Sequence, residues 1–352
     1  MKRTFLLLGL VLLLIGSLSG CMKKAPEEET PPQSQEDPVA PESQDTQLNI
    51  DLLRVELSRS GLDTATLADA VKRLPEILQE LFAECGEIEI DRISVTVGAS
   101  PADTTQALAD GNVDLAFLPM EEYLLSEEET RILYADAYET DNGAYCAGTR
   151  ALICAAPTAY GEQLAQRVSS GKPLSWNEVA HARWGVLGSS SLGGYRCLQL
   201  WLMDSYEGKT ISELRQVYQY DSYEELFRAA AAGEIDVISV GDDVRSSVEE
   251  AWILDESRTD VSGMRGFGRT ASVWEELPVL DATERLYSAA VAATADSADL
   301  SDQRFAAALK LVLERMAEEE PDLMLPLGAK HFDVVTEENV APMRRLLAQE
   351  AE

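Results

Sequence analysis

Helix-type and strand-type segments alternate from residue 49 to the C-terminus, which predicts an α/β fold with two lobes. Two observations carry the two-lobe expectation. The first is a repeated unit: Gln106-Ala-Leu-Ala-Asp-Gly111-Asn-Val-Asp114-Leu-Ala-Phe-Leu-Pro119 is a helix, a Gly stop and a buried strand, and Leu226 to Val240 repeats it. Both copies read Gly-x-(Val/Ile)-Asp-apolar-apolar, about 120 residues apart, a spacing too long for a solenoid repeat. The second is length, since roughly residues 49 to 352 hold two domains of ordinary size.

In chain order, Met-Lys-Arg precedes an apolar run, Phe5 to Leu18, that ends Leu18-Ser-Gly-Cys21. This is an export signal, too short for a spanning helix. Leu-Ser-Gly-Cys resembles a bacterial lipobox, which implies cleavage after residue 20 and lipid on Cys21. Residues 21 to 48 are rich in Pro, Glu, Gln and Ser, with little to bury, and read as a disordered acidic tether. The expected product is a membrane-anchored extracytoplasmic domain.

Leu52 to Leu57 reads as a first strand. Asp63 or Thr64 caps a helix with apolar positions from Leu67 to Leu81, which Pro75 is expected to kink. Ile88 to Val97 alternates as one strand, and Ser100-Pro101 opens a helix. Ile132 to Tyr138 and Arg150 to Ala156 read as strands, and Ser175 caps a short helix. Leu286 to Ala293 is a strand, and Arg304 to Met316 and Val340 to Leu347 are helices. The sheets are expected to be mainly parallel, with ligands beyond the C-terminal strand ends. The division expected is lobe 1 at 49–145 and 255–352 and lobe 2 at 146–254.

The stretch richest in chemistry is Arg183 to Arg196. Trp184, Val186 and Leu187 form a strand, Gly188 to Ser191 a turn, and the helix begins beyond it. A helix start with three hydroxyls suits an oxyanion, although the same residues would also make a plain capped turn. Tyr123, Tyr223, Asp242 and Asp243 follow strand ends that would converge on one cleft. Each also has a structural reading: the tyrosines as packing residues, the aspartates as caps of a helix at Val244 to Glu250. Arg59 and Arg196 offer bidentate donors to an anion, or surface charge.

The formal net charge is -33, with 62 acidic against 29 basic residues, so no nucleic-acid partner is expected. Cys85, Cys146, Cys154 and Cys197 form no C-x-x-C pair, and His181 and His331 are the only histidines, so no metal site is expected. One disulfide among the four cysteines stays open. A serine hydrolase would need Gly-x-Ser-x-Gly, and Ser190 and Ser191 each lack one of the two glycines; no Walker loop is present.

Gly111 to Pro119, Ser189-Ser-Ser-Leu-Gly-Gly-Tyr195 and Gly233-Glu-Ile-Asp236 resemble, in order and spacing over roughly residues 52 to 280, the solute-binding lipoproteins of phosphonate/phosphate/phosphite ABC importers. The resemblance implies a type 2 periplasmic-binding-protein fold, two lobes joined by two crossing segments around a ligand cleft. It implies no enzyme activity and no cofactor. The partners it implies are a small anion or zwitterion and an ABC permease, with the protein a monomer. Ser189, Ser190 and Ser191, with backbone N–H groups near Gly193, match the oxyanion loop, and Tyr123 an aromatic at the lip of the first lobe. Tyr223 stands where the family often has His, and Asp242 or Asp243 would meet a ligand amine. The family's Pro-Asn-Asp-Pro-like segment survives only as Glu275-Glu-Leu-Pro278. A surface sensor or adhesion lipoprotein of the same fold is the alternative.

Overall fold

The computed structural model describes residues 47–58, 62–139, 145–242 and 244–350. The signal, Cys21, the tether, Arg59 and Asp243 lie outside the described residues. No helix among the described residues is long and apolar enough to cross a membrane.

The strands are β1 Leu48–Ile50, β2 Leu53–Leu57, β3 Ile88–Ile90, β4 Ile93–Val97 and β5 Leu115–Pro119. Then come β6 Thr130–Glu139, β7 Tyr145–Ala147, β8 Ala151–Ala155, β9 Arg183–Val186 and β10 Gln216–Gln219. The last four are β11 Val237–Gly241, β12 Val279–Ala282, β13 Ala289–Thr294 and β14 His331–Val334. One sheet runs β14-β6-β13-β5-β2-β4, with β7 paired to β6; a second runs β10-β9-β11-β8-β12; β1 and β3 form a small third. The expected single strand at Ile88 to Val97 breaks at Asp91-Arg92, and its halves join different sheets.

Both large sheets are mixed. Strand β13 runs antiparallel to β5 and β6, and β8 antiparallel to β11 and β12. The expectation of mainly parallel sheets fails where the chain crosses between sheets, because a strand entering from the other sheet needs no helical crossover. The chain passes to the second sheet between β7 and β8 and returns between β12 and β13. There the two passages pair, Thr149 N–H to Leu286 O and Leu286 N–H to Thr149 O, each 2.7 Å.

The expected lobe boundary at residue 254 falls inside the packing of the second sheet. Strand β12 pairs with β8, and Phe267, Val273 and Leu277 are buried with Trp252 and Phe227. The glycine-rich break at 263–268 is a surface turn of that packing, not a passage between lobes.

Seven helices are used below: α1 Thr64–Cys85, α2 Pro101–Ala109, α3 Met120–Leu124, α4 Ala159–Ser169, α5 Trp176–His181, α6 Cys197–Ser205 and α7 Tyr223–Ala231. Asp63 caps α1, accepting from Ala65 and Thr66 N–H, and Pro75 sits inside α1 without ending it. Ser100 caps α2, and Ser175 with Glu178 makes a capping box on α5. Helix α1 buries Leu74, Leu78 and Phe82 against the first sheet, where Phe82 stacks on Phe305. Helix α7 buries Leu226 and Phe227 on one face of the second sheet, while α4 and α6 bury Leu164, Leu198 and Leu202 on the other. The C-terminal helix Glu337–Glu350 places Met343 and Leu346 in a cluster shared with Cys197 and Leu200 of α6. The four described cysteines are unpaired.

Candidate functional site

The repeated Gly-x-(Val/Ile)-Asp units end in the same construction. Asp114 accepts from Arg54 N, Nε and Nη2 at 2.7, 2.9 and 2.6 Å. Asp236 accepts from Arg183 N, Nε and Nη2 at 3.0, 3.0 and 2.7 Å, and from the Thr158 hydroxyl at 2.7 Å. Each aspartate stands before its strand, so the motif staples the N-terminal ends of β2 to β5 and β9 to β11. The opposite, C-terminal ends carry the site.

After β9, Ser191 N–H closes the turn on Gly188 O at 2.9 Å. The Ser191 hydroxyl accepts from Gly194 N–H at 3.1 Å and so caps the wide turn Leu192–Arg196 that leads into α6. Ser189 and Ser190 are exposed at the tip, while Gly193 is buried. Ser239 of β11 donates to Gly193 O at 2.9 Å. A Cβ on Gly193 would lie 2.5 Å from Gly241 Cα and 2.8 Å from Gly241 N, so only glycine lets the loop lie against β11.

Tyr223, at the start of α7, braces this contact. Its Oη accepts from Gly241 N–H at 3.1 Å, and the Ser191 side chain stands near enough to lower the phenol's pKa. Burial pushes the phenol above its ordinary range and outweighs the opposing effects of Gly241 N–H and Ser191, so it stays neutral. Ser191 is thus engaged by Gly194 and Tyr223 by Gly241, and Ser189 and Ser190 are the exposed hydroxyls of the loop.

Asp242 follows Gly241, and among the described residues its carboxylate caps no helix. Its side chain is 6% exposed and pairs with Arg150 Nε at 2.7 Å and Arg285 Nη1 at 2.9 Å. It also accepts from the Tyr138 hydroxyl at 2.6 Å. Burial, then the bond to Asp242, raises the Tyr138 phenol well above its ordinary range. Arg150 and Arg285 stand on the two passages between the sheets. In the sequence Tyr138 and Arg150 stand out only as strand ends, and nothing singles out Arg285.

Tyr123 does not reach the cleft. It is 2% exposed, packed with Leu108, Met120, Val340 and Leu346, because α3 turns its apolar face to the C-terminal helix. Arg196 is not a surface cation: its side chain is 10% exposed, and it pairs with Glu121 of α3 and, at 3.0 Å, with Glu350. It thereby ties α6, beyond the serine loop, to the helix after β5. At the ends of β2 and β5 a cavity of about 210 Å³ is lined by Ser58, Phe117, Pro119, Ser288 and Gly328. The buried Ser58 hydroxyl there has no hydrogen-bond partner among the described residues.

Two lobes, two passages and polar groups gathered at strand ends define a solute-binding protein. The chain belongs to the family described as ABC transporter, phosphonate, periplasmic substrate-binding protein, whose model matches residues 64–340. No curated protein matches it. Similar solved structures include a binding protein component of an ABC phosphonate transporter from Pseudomonas aeruginosa, at 13% identity over 86% of this chain and 87% of that one, TM-score 0.38. Another is PhnD1 from Prochlorococcus marinus in complex with methylphosphonate, at 10% identity over 86% and 98%, TM-score 0.39. A third is a TctC solute binding protein from Polaromonas, at 13% identity over 86% and 96%, TM-score 0.41. As a family member the chain is the extracytoplasmic solute-binding component of an ABC importer. It is not an enzyme, and it serves a permease.

Proposed function

We propose that the solute is a small oxyanion of the phosphonate or phosphate type, gripped by Ser189, Ser190 and backbone N–H groups near Gly193. The observation that carries this is the serine loop itself: two outward hydroxyls at a helix approach, on a turn made rigid from behind by Ser191, Tyr223 and Gly241. Hydroxyl and amide donors held in place suit a tetrahedral oxyanion, and capture there needs no covalent step. Ser58, with an unpartnered buried hydroxyl at the ends of β2 and β5, supplies the first lobe's donor. The lobes divide as 47–147 with 289–350 and 151–282, meeting at Thr149 and Leu286. The protein works as a monomer, held to the membrane by lipid on Cys21, and closes on its solute by shifting toward a state already accessible.

A thermal-shift series with phosphate, phosphite and methylphosphonate tests the reading. At a hundredfold excess over Kd, a bound oxyanion should add about 2.7 kcal/mol and raise Tm by roughly 5–10 °C. Absence of any shift with all three removes the oxyanion reading. Palmitate labelling of wild-type cells against a Cys21→Ala strain tests the anchor: label lost in the variant supports it, and label retained refutes it.

A further inference from the structure

The resemblance implied that Asp242 or Asp243 would meet an amine on the solute. In the structure the Asp242 carboxylate is already engaged. Oδ1 takes Arg150 Nε, and Oδ2 takes both Arg285 Nη1 and the Tyr138 hydroxyl. Two guanidinium charges from the two passages face this one carboxylate. Asp136, a carboxylate of β6, accepts from the backbone N–H groups of Ser288 and Ala289. Among the described residues Arg150 engages partners through Nε alone, and its side chain is 42% exposed, so its terminal amino groups remain open donors. Arg285 is more enclosed, its Nη1 also donating to Gly148 O at 2.8 Å. The cluster adjoins the serine loop through one residue, since Gly241 lies against Gly193 and precedes Asp242.

We propose that Arg150 and Arg285 select the group at the solute's end remote from phosphorus. That group is anionic or uncharged, and an ammonium is refused. This rests on the oxyanion reading above and goes further by fixing the charge class of the solute. An ammonium entering here meets two like charges and a carboxylate already paired with both. A carboxylate meets the open Arg150 fork.

Calorimetric titration of the wild-type protein with phosphonoacetate, methylphosphonate and 2-aminoethylphosphonate tests this. Phosphonoacetate should bind at least about tenfold more tightly than 2-aminoethylphosphonate, the order expected for one charge-assisted hydrogen bond, with methylphosphonate between them. Arg150→Gln should bring the two affinities within about threefold of each other, and Arg150→Lys, which keeps the charge, should preserve the order. Tightest binding of 2-aminoethylphosphonate by the wild type overturns the inference and needs no variant. So does an unchanged ratio in folded Arg150→Gln. If methylphosphonate binds while the order is inverted, only this inference fails; if none of the three binds, this inference fails, and the oxyanion reading fails with it when phosphate and phosphite also leave Tm unchanged.

Discussion

Gly193→Ala is the most direct probe of how the serine loop is held. The new Cβ would stand 2.5 Å from Gly241 Cα and 2.8 Å from Gly241 N, and 3.2 Å from Tyr223 Oη. Carbon atoms pack at about 3.5–4.0 Å, so the loop must retreat by about 1 Å. Neither atom of Gly241 yields easily, because the whole of β11 is buried and pairs with β8 and β9. Overpacking of this kind costs about 1–3 kcal/mol. Restricting the unfolded chain returns about 0.4–1 kcal/mol, since Gly193 is not in the left-handed region. A net loss of about 1–2 kcal/mol remains, or roughly 2–8 °C in Tm. The retreat also loosens the Ser239 bond to Gly193 O and the Tyr223 bond to Gly241 N–H, so affinity for methylphosphonate should fall about tenfold or more. Urea unfolding followed by circular dichroism gives the first number and calorimetry the second. A Gly193→Ala protein as stable as wild type, with unchanged affinity, refutes the close-approach argument.

Ser191→Ala removes the cap on Gly194 N–H and should cost about 1 kcal/mol in urea unfolding, whereas Ser189→Ala should stay within about 0.5 kcal/mol. Burial alone would raise the Asp236 carboxyl, but the Arg183 guanidinium and N–H and the Thr158 hydroxyl outweigh it and hold it below the ordinary range. Its stabilising contribution is therefore complete above the unfolded carboxyl's pKa of about 3.9 and is lost as pH falls through the lower folded value. Urea midpoints of Asp236→Asn should accordingly show a shallower acid limb than those of wild type. Burial pushes the Cys154 thiol up to about 12 and the Cys197 thiol up to about 11. A thiol reagent at neutral pH should therefore label both only after unfolding, and rapid labelling of either in the native protein would contradict their packing.

The parts of this protein that the sequence makes legible are local ones. Periodicity and caps place α1, α2 and α5, and the paired Gly-x-(Val/Ile)-Asp units mark two comparable sheets. In the sequence these units show repetition and nothing of their partners. Their bonds to Arg54 and Arg183 span 60 and 53 residues, and no local pattern announces them. Strand β12 is four residues long with only Leu280 buried, so its alternation is too weak to claim it for the second sheet. Tyr123 and Asp242 misled for opposite reasons. Tyr123 follows a strand end as a cleft residue would, yet α3 rotates it into the core. Asp242 does adjoin the serine loop, but its partners are Arg150 and Arg285 on the two passages and Tyr138 of β6, with Arg150 92 and Tyr138 104 residues away. Charges that meet across a fold are set by topology, and topology is what short mixed strands conceal.

The central claim is that Ser189 and Ser190 grip a phosphono oxyanion from a loop that is rigid without it. Calorimetric titration of methylphosphonate into wild type and into Ser189→Ala/Ser190→Ala, each with its ligand-free Tm, tests this most directly. The account predicts saturable one-site binding in wild type and affinity at least about tenfold weaker in the double variant, with the ligand-free Tm unchanged. Equal affinity in the two proteins would contradict it, as would wild type that binds none of methylphosphonate, phosphate and phosphite.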